Sequence, residues 1–120
     1  MRYMMLIYLP SDGAPTEEER EQCYIDSTEF ARKLQEQGKF VGAAPLHPPS
    51  TATSVRIRDG KRLVMDGPFA ETREHLGGYF MVEAGDLDEA IEIAAGIPAG
   101  KWGGVEIRPV VEVPAMSGVK

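Results

Sequence analysis

Apolar residues fill both alternating positions of Tyr3–Leu9, so this segment reads as a strand covered on both faces and central in its sheet. After a loop at Ser11–Pro15, Thr16 stands three residues before Glu19, and Glu17, Glu18 and Glu19 load the next turn with negative charge. That is a capping box at the positive end of a helix. Cys23, Ser27, Phe30, Ala31 and Leu34 recur on one helical face, and Gly38 offers a stop. The spacing predicts a helix of about 22 residues.

Phe40–Leu46 reads as a short strand, followed by the loop His47-Pro48-Pro49-Ser50. Ser54–Arg58 and Lys61–Met65 flank Asp59-Gly60 as a hairpin. A three-residue loop, Asp59-Gly60-Lys61, pairs Ile57 with Leu63 and Val55 with Met65 and keeps the faces consistent, which predicts a left-handed Gly60 beside a bulge. Asp66-Gly67-Pro68-Phe69 ends the hairpin, and Ala70–His75 reads as a turn or short helical piece. Leu76–Ala84 is a further strand. Asp86 then precedes Glu89 by three, opening a second helix with Leu87, Ala90, Ile91 and Ala94 as its apolar stripe and Gly96 and Pro98 at its end. Val105–Val113 alternates as a final strand, with Pro109 marking an edge or a bulge.

The order is β-α-β, an inserted hairpin, then β-α-β. Two amphipathic helices cover one face of a four-stranded antiparallel sheet, yet two strands are apolar on both faces. A second copy is the simplest cover. The pattern predicts an α+β, ferredoxin-like protomer that forms a homodimer by sheet-to-sheet packing. Residues 1–113 read as one domain and 114–120 as a C-terminal tail.

Charge and composition narrow the chemistry. Nineteen acidic and thirteen basic residues in 120 give a formal charge of −6, which disfavours nucleic acid. No apolar run approaches the ~20 residues of a bilayer helix, so no membrane partner is expected. The apolar start stops at Pro10-Ser11-Asp12-Gly13 without a cleavage pattern, unlike a signal peptide. One cysteine, Cys23, excludes an intrachain disulfide and fits a cytoplasmic location. No phosphate-cradling loop, zinc-ligand spacing or dinucleotide fingerprint appears, so no cofactor or metal is expected.

Several runs together resemble a known family. Tyr3-Met4-Met5-Leu6-Ile7-Tyr8, Asp66-Gly67-Pro68-Phe69-Ala70-Glu71-Thr72-Arg73-Glu74, Leu76-Gly77-Gly78-Tyr79-Phe80, Asp86-Leu87-Asp88-Glu89-Ala90 and Val105-Glu106-Ile107-Arg108-Pro109-Val110 follow in order. The chain is similar across residues 2–110 to YCII-related proteins of the DGPF-domain type. That resemblance implies a dimeric α/β barrel of ferredoxin-like protomers, and a bacterial setting beside sigma factors of the extracytoplasmic-function class. The better studied branch is thought to carry a His–Asp pair, with the histidine on the first helix and the aspartate before Pro-Phe. Here Ser27 stands near the first place and Ile97 precedes Pro98, so that pair does not carry over.

Acid–base chemistry needs titratable groups in a cleft. His47, Asp66 and Glu71 are the catalytic candidates, each with a plainer reading: His47 as an exposed loop residue, Asp66 as a turn-former before Gly-Pro. His75, near Glu71 and Glu74, is expected to cap or decorate a surface turn. Arg56, Arg73, Tyr79 and Phe69 are the candidate ligand contacts; for Phe69 the alternative is a packing anchor, for Tyr79 burial at the dimer interface. Arg56, Arg58, Lys61 and Arg62 form the one basic cluster, either a solvated edge that resists aggregation or a grip on an anion. Cys23 reads as a small core hydrophobe. The main functional reading is a dimer that binds a small molecule or a protein partner. The alternative is a cofactor-independent enzyme acting on a small organic molecule.

Overall fold

The computed structural model describes residues 1–116 and 118. The chain runs β1 (Arg2–Pro10), α1 (Glu17–Glu36), β2 (Phe40–Pro45), β3 (Thr53–Arg58), β4 (Lys61–Asp66), β5 (Glu74–Glu83), α2 (Leu87–Ala95) and β6 (Gly104–Pro109). β2, β5, β1 and β6 lie side by side in one antiparallel sheet, while β3 and β4 make a separate two-stranded sheet. β1 and β5 are its central strands. This is the ferredoxin-like arrangement of four strands and two helices.

The helices form where the caps direct them. The Thr16 hydroxyl accepts from the Glu19 amide at 3.1 Å, and the Glu19 carboxylate accepts from the Thr16 amide at 3.0 Å. Asp86 receives the Glu89 amide at 2.9 Å and caps α2, without the reciprocal bond from the Glu89 side chain. Gly38, at φ +72°, turns the chain out of α1. Both helices cover one sheet face, where Tyr3, Met5, Ile7, Phe80 and Val82 meet Leu34, Ala90, Ile93 and Ala94. Met5 and Val82 are sealed completely. Phe80 makes T-shaped ring contacts with Phe30 and Phe40, with centroids 5.8 Å and 6.3 Å away.

Three expectations need correction. The sheet does not close into an α/β barrel. β2 and β6 remain its edges, the β3–β4 hairpin forms no ladder with it, and four strands are about half of what a small barrel interior needs. The hairpin register is also different. Arg58 pairs with Lys61 and Ile57 with Arg62 across a two-residue turn, in which Asp59 and Gly60 have φ of 51° and 73°. Gly60 is left-handed as expected, but no bulge accompanies it. Two positive φ values match the twist of the strands, and every side chain of β4 is exposed, so burial imposes no preferred register. Finally, the last strand ends at Pro109 rather than Val113. Pro109 still faces Tyr3 across the ladder, and Val111 and Val113 beyond it are exposed.

The hairpin projects as an arm. The radius of gyration is 16.2 Å, against about 13–14 Å for a compact chain of this length. Val55, Ile57, Leu63, Val64 and Met65 all remain exposed on it.

Candidate functional site

Four chain segments converge at the end of the sheet where β1 leaves and β5 enters. The Ser11 amide donates to the Arg73 carbonyl at 2.7 Å, and the Ser11 hydroxyl donates to the Thr72 carbonyl at 2.6 Å. The Thr72 hydroxyl donates in turn to the Glu74 carbonyl. On the β2 side, the Leu46 amide donates to the Gly77 carbonyl at 2.9 Å, which brings His47 to the same end. On the β6 side, Gly103 passes so close to the Tyr8 carbonyl that no side chain fits there.

His75 stands in this end of β5, not in a surface turn. The reason is a register shift: Ile7 faces Gly78, but Tyr8 faces Leu76 and Leu9 faces His75. The extra residue, Gly77, lies under the Leu9 side chain, where a larger residue would collide. Strict alternation from Phe80 would put His75 on the sheet face away from the helices. The bulge reverses this and places it beside Leu9, which packs against the helix-side core. The residue is half-buried, and its Nδ1 is sealed from solvent without a hydrogen-bond partner. The Gly77-Gly78 pair was the available signal for such a bulge.

The other candidates are dispersed. His47 and Glu71 are exposed on loops, and Arg73 precedes β5 with an exposed side chain. Tyr79 is half-buried on the face away from the helices, between Leu6 and Ala44 in register. Asp66 ends β4 opposite Thr53, exposed and on the other arm face from Arg56. The structure does not join His47, Asp66 and Glu71 by any hydrogen bond. It does join Arg56 to Phe69, with the guanidinium carbon 4.3 Å from the ring centroid. On α1, Cys23 is buried as expected, and its Sγ lies 3.8 Å from the half-buried Ser27 Oγ. Ile97 is part of the core.

Two hollows accompany these residues. The larger, about 590 Å³, is an open groove between α2 and β6 whose only charged lining residue among the described residues is Lys101. The smaller, about 270 Å³, lies on the arm beneath Arg56, Arg58 and Phe69. Among the described residues, no group of three or more His, Cys, Asp or Glu side chains is arranged to hold a metal ion, and no helix is long and apolar enough to cross a membrane.

A family model for the YCII-related domain matches residues 1–114. The chain belongs to the YCII-related family. An uncharacterised protein of Rhizobium meliloti (strain 1021) is 36% identical to it over 114 residues, covering 92% of each chain. In fold, this YCII-related chain is similar to 5-chloro-2-hydroxyhydroquinone dehydrochlorinase from Burkholderia phenoliruptrix AC1100, solved in complex with 2,5-dihydroxybenzoquinone. That likeness has a TM-score of 0.56 at 14% identity and spans 96% of this chain and 98% of the other. It is a likeness of fold. The YCII-related chain shares a framework with an enzyme of small hydroxylated rings, while its own side chains decide its chemistry.

Proposed function

We propose that this YCII-related protein is a cofactor-independent enzyme that moves a proton on a small organic molecule at the β1–β5 end of the sheet. The observation that carries the reading is His75. A buried polar atom without a partner costs about 1–3 kcal/mol, and nothing in the fold offsets it at Nδ1. A fold carries such a cost where the group serves chemistry. With Nδ1 sealed, a substrate reaches the ring through Nε2, and an imidazole nitrogen there accepts a proton from a hydroxyl or acidified C–H. His47 and Arg73 flank the same end, as a second proton carrier and as a cation for the resulting anion. Asp66 and Glu71 are secondary candidates, and the dehydrochlorinase fold supplies the substrate class to try first, hydroxylated rings and quinones.

The protomer works as a homodimer joined through the sheet face that the helices leave open, where Met4, Leu6, Tyr8, Tyr79 and Met81 are half-buried. Tyr79 then serves the interface. The finer placement among DGPF-type members rests on Asp66-Gly67-Pro68-Phe69, and a cytoplasmic, sigma-factor-linked setting belongs to the same proposal.

The test replaces His75 by leucine and uses 2,5-dihydroxybenzoquinone as the probe. Calorimetry should show the probe bound by the wild type and not by His75→Leu, while the variant melts at a higher temperature because the unsatisfied nitrogen is gone. A variant that binds the probe as the wild type does, or that melts several degrees lower, assigns His75 a structural role and ends the proposal.

A further inference from the structure

The arm carries a second recognition surface that the chemistry at His75 does not use. In the observed register Ser54 faces Met65, Arg56 faces Leu63 and Arg58 faces Lys61, so all six share one face. Phe69 joins that face from the turn beyond β4. Three bonds hold the turn: the Ser54 hydroxyl to the Gly67 carbonyl at 2.6 Å, the Gly67 amide to the Ala52 carbonyl at 2.7 Å, and the Ala52 amide to the Pro49 carbonyl at 3.0 Å. Gly67 has φ of 94°, which few other residues adopt. The result is a hollow of about 270 Å³ with Leu63, Met65 and Phe69 as apolar walls and the side chains of Arg56 and Arg58 completing its lining.

We infer that this hollow binds a small flat organic anion, an aromatic carboxylate, with the ring on Phe69 and Met65 and the carboxylate held by Arg56 and Arg58. Aggregation control at a strand edge requires cations alone. It does not require an aromatic ring delivered under one of them by a fixed glycine turn. Phe69 is no core anchor either, since 58% of it is exposed. The charges are also available. In a chain with six more acidic than basic residues, Arg56, Arg58, Lys61 and Arg62 form no ion pair among the described residues, whereas Arg2, Arg32 and Lys39 all do. A planar guanidinium matches a carboxylate in two parallel hydrogen bonds. The volume lies just below the usual range for ligand pockets and suits a single ring.

Sodium benzoate is the probe, titrated into the isotopically labelled full chain at constant pH and followed by amide and arginine Nε resonances. Saturable shifts should centre on Arg56, Arg58, Met65 and Phe69. Benzyl alcohol and sodium acetate, which lack the charge or the ring, should bind at least about tenfold more weakly. Arg56→Gln and Phe69→Ala should each raise Kd about tenfold, and Arg56→Lys should not restore it. The arm contributes no residue to the core cluster, so these variants should keep the wild-type melting temperature. Benzoate shifts that fall elsewhere, or an unchanged Kd in Arg56→Gln, overturn the inference. So do arm shifts that grow with protein concentration and exclude benzoate, because a carboxylate of a second copy then fills the hollow.

Discussion

Glu83 ties the beginning of the chain to the sheet. Its carboxylate accepts from Arg2 Nε at 2.8 Å and lies 3.7 Å from the terminal amine. The hydrogen bond from Arg2 comes first among the causes that hold the Glu83 carboxyl below its ordinary value of 4.5; burial comes next and opposes it, and the charges of Arg2 and the terminal amine add to the lowering. A carboxyl whose pKa is lower in the folded than in the unfolded chain stabilises the fold above pH 4.5, and the contribution fades as pH falls through the folded value. Its side chain is 39% exposed, so solvent screening keeps the effect small. Glu83→Gln should lower the melting temperature by about 2 °C at pH 7. The difference should vanish as the pH falls from 4.5 through the folded pKa. Melting curves of both proteins over pH 2–8 check this, and a difference that persists at the acid end contradicts it.

At the scale of elements, close backbone approach fixes how β6 begins. A Cβ at Gly103 would fall on the Tyr8 carbonyl oxygen and against the Glu74 carboxylate, and a backbone atom cannot swing aside as a side chain tip does. Gly103→Ala should therefore cost about 3 kcal/mol, the upper part of the range for overpacking, measured by urea unfolding. Gly104→Ala, where an added Cβ meets nothing within 4 Å, is the control. Most of this framework was legible in the sequence. Thr16 and Asp86 cap the helices as their spacing predicts, and double-faced Tyr3–Leu9 lies at the centre of the sheet. What escaped was decided by local geometry with no hydrophobic signature. The exposed arm gave burial no say over its register, so the twist of Asp59-Gly60 chose it. The bulge at Gly77 turned His75 to the helix side, which alternation alone denies. Candidate chemistry suffered most because Asp66, Glu71 and Tyr79 sit on an arm, a loop and an open sheet face, places that sequence distance does not separate.

At the scale of the molecule, the helices shield one face of the sheet and leave Met4, Leu6, Tyr8, Tyr79 and Met81 on the other. Each is half-buried by its strand neighbours, so the face is already partly desolvated and loses little order on association. Arg2, Glu83, Glu106 and Arg108 surround it with both signs of charge, which suits a two-fold axis that sets unlike charges against each other. Leu6, on a central strand between Tyr79 and Glu106, is the position to test. In a lone protomer Leu6→Glu leaves a carboxylate with access to water, and the fold should survive. In a sheet-to-sheet dimer two such carboxylates would be buried near the axis without partners, at several kcal/mol each, and association should fail. Native mass spectrometry at micromolar concentration should give twice the 13.1 kDa chain mass for the wild type and the single mass for Leu6→Glu. Ile57→Lys, 68% exposed on the arm face away from Arg56, separates the two surfaces available for association. If it leaves the dimer intact while Leu6→Glu dissolves it, the open sheet is the interface. If Ile57→Lys dissolves it and Leu6→Glu does not, the arm holds the copies together and the sheet-to-sheet dimer is wrong.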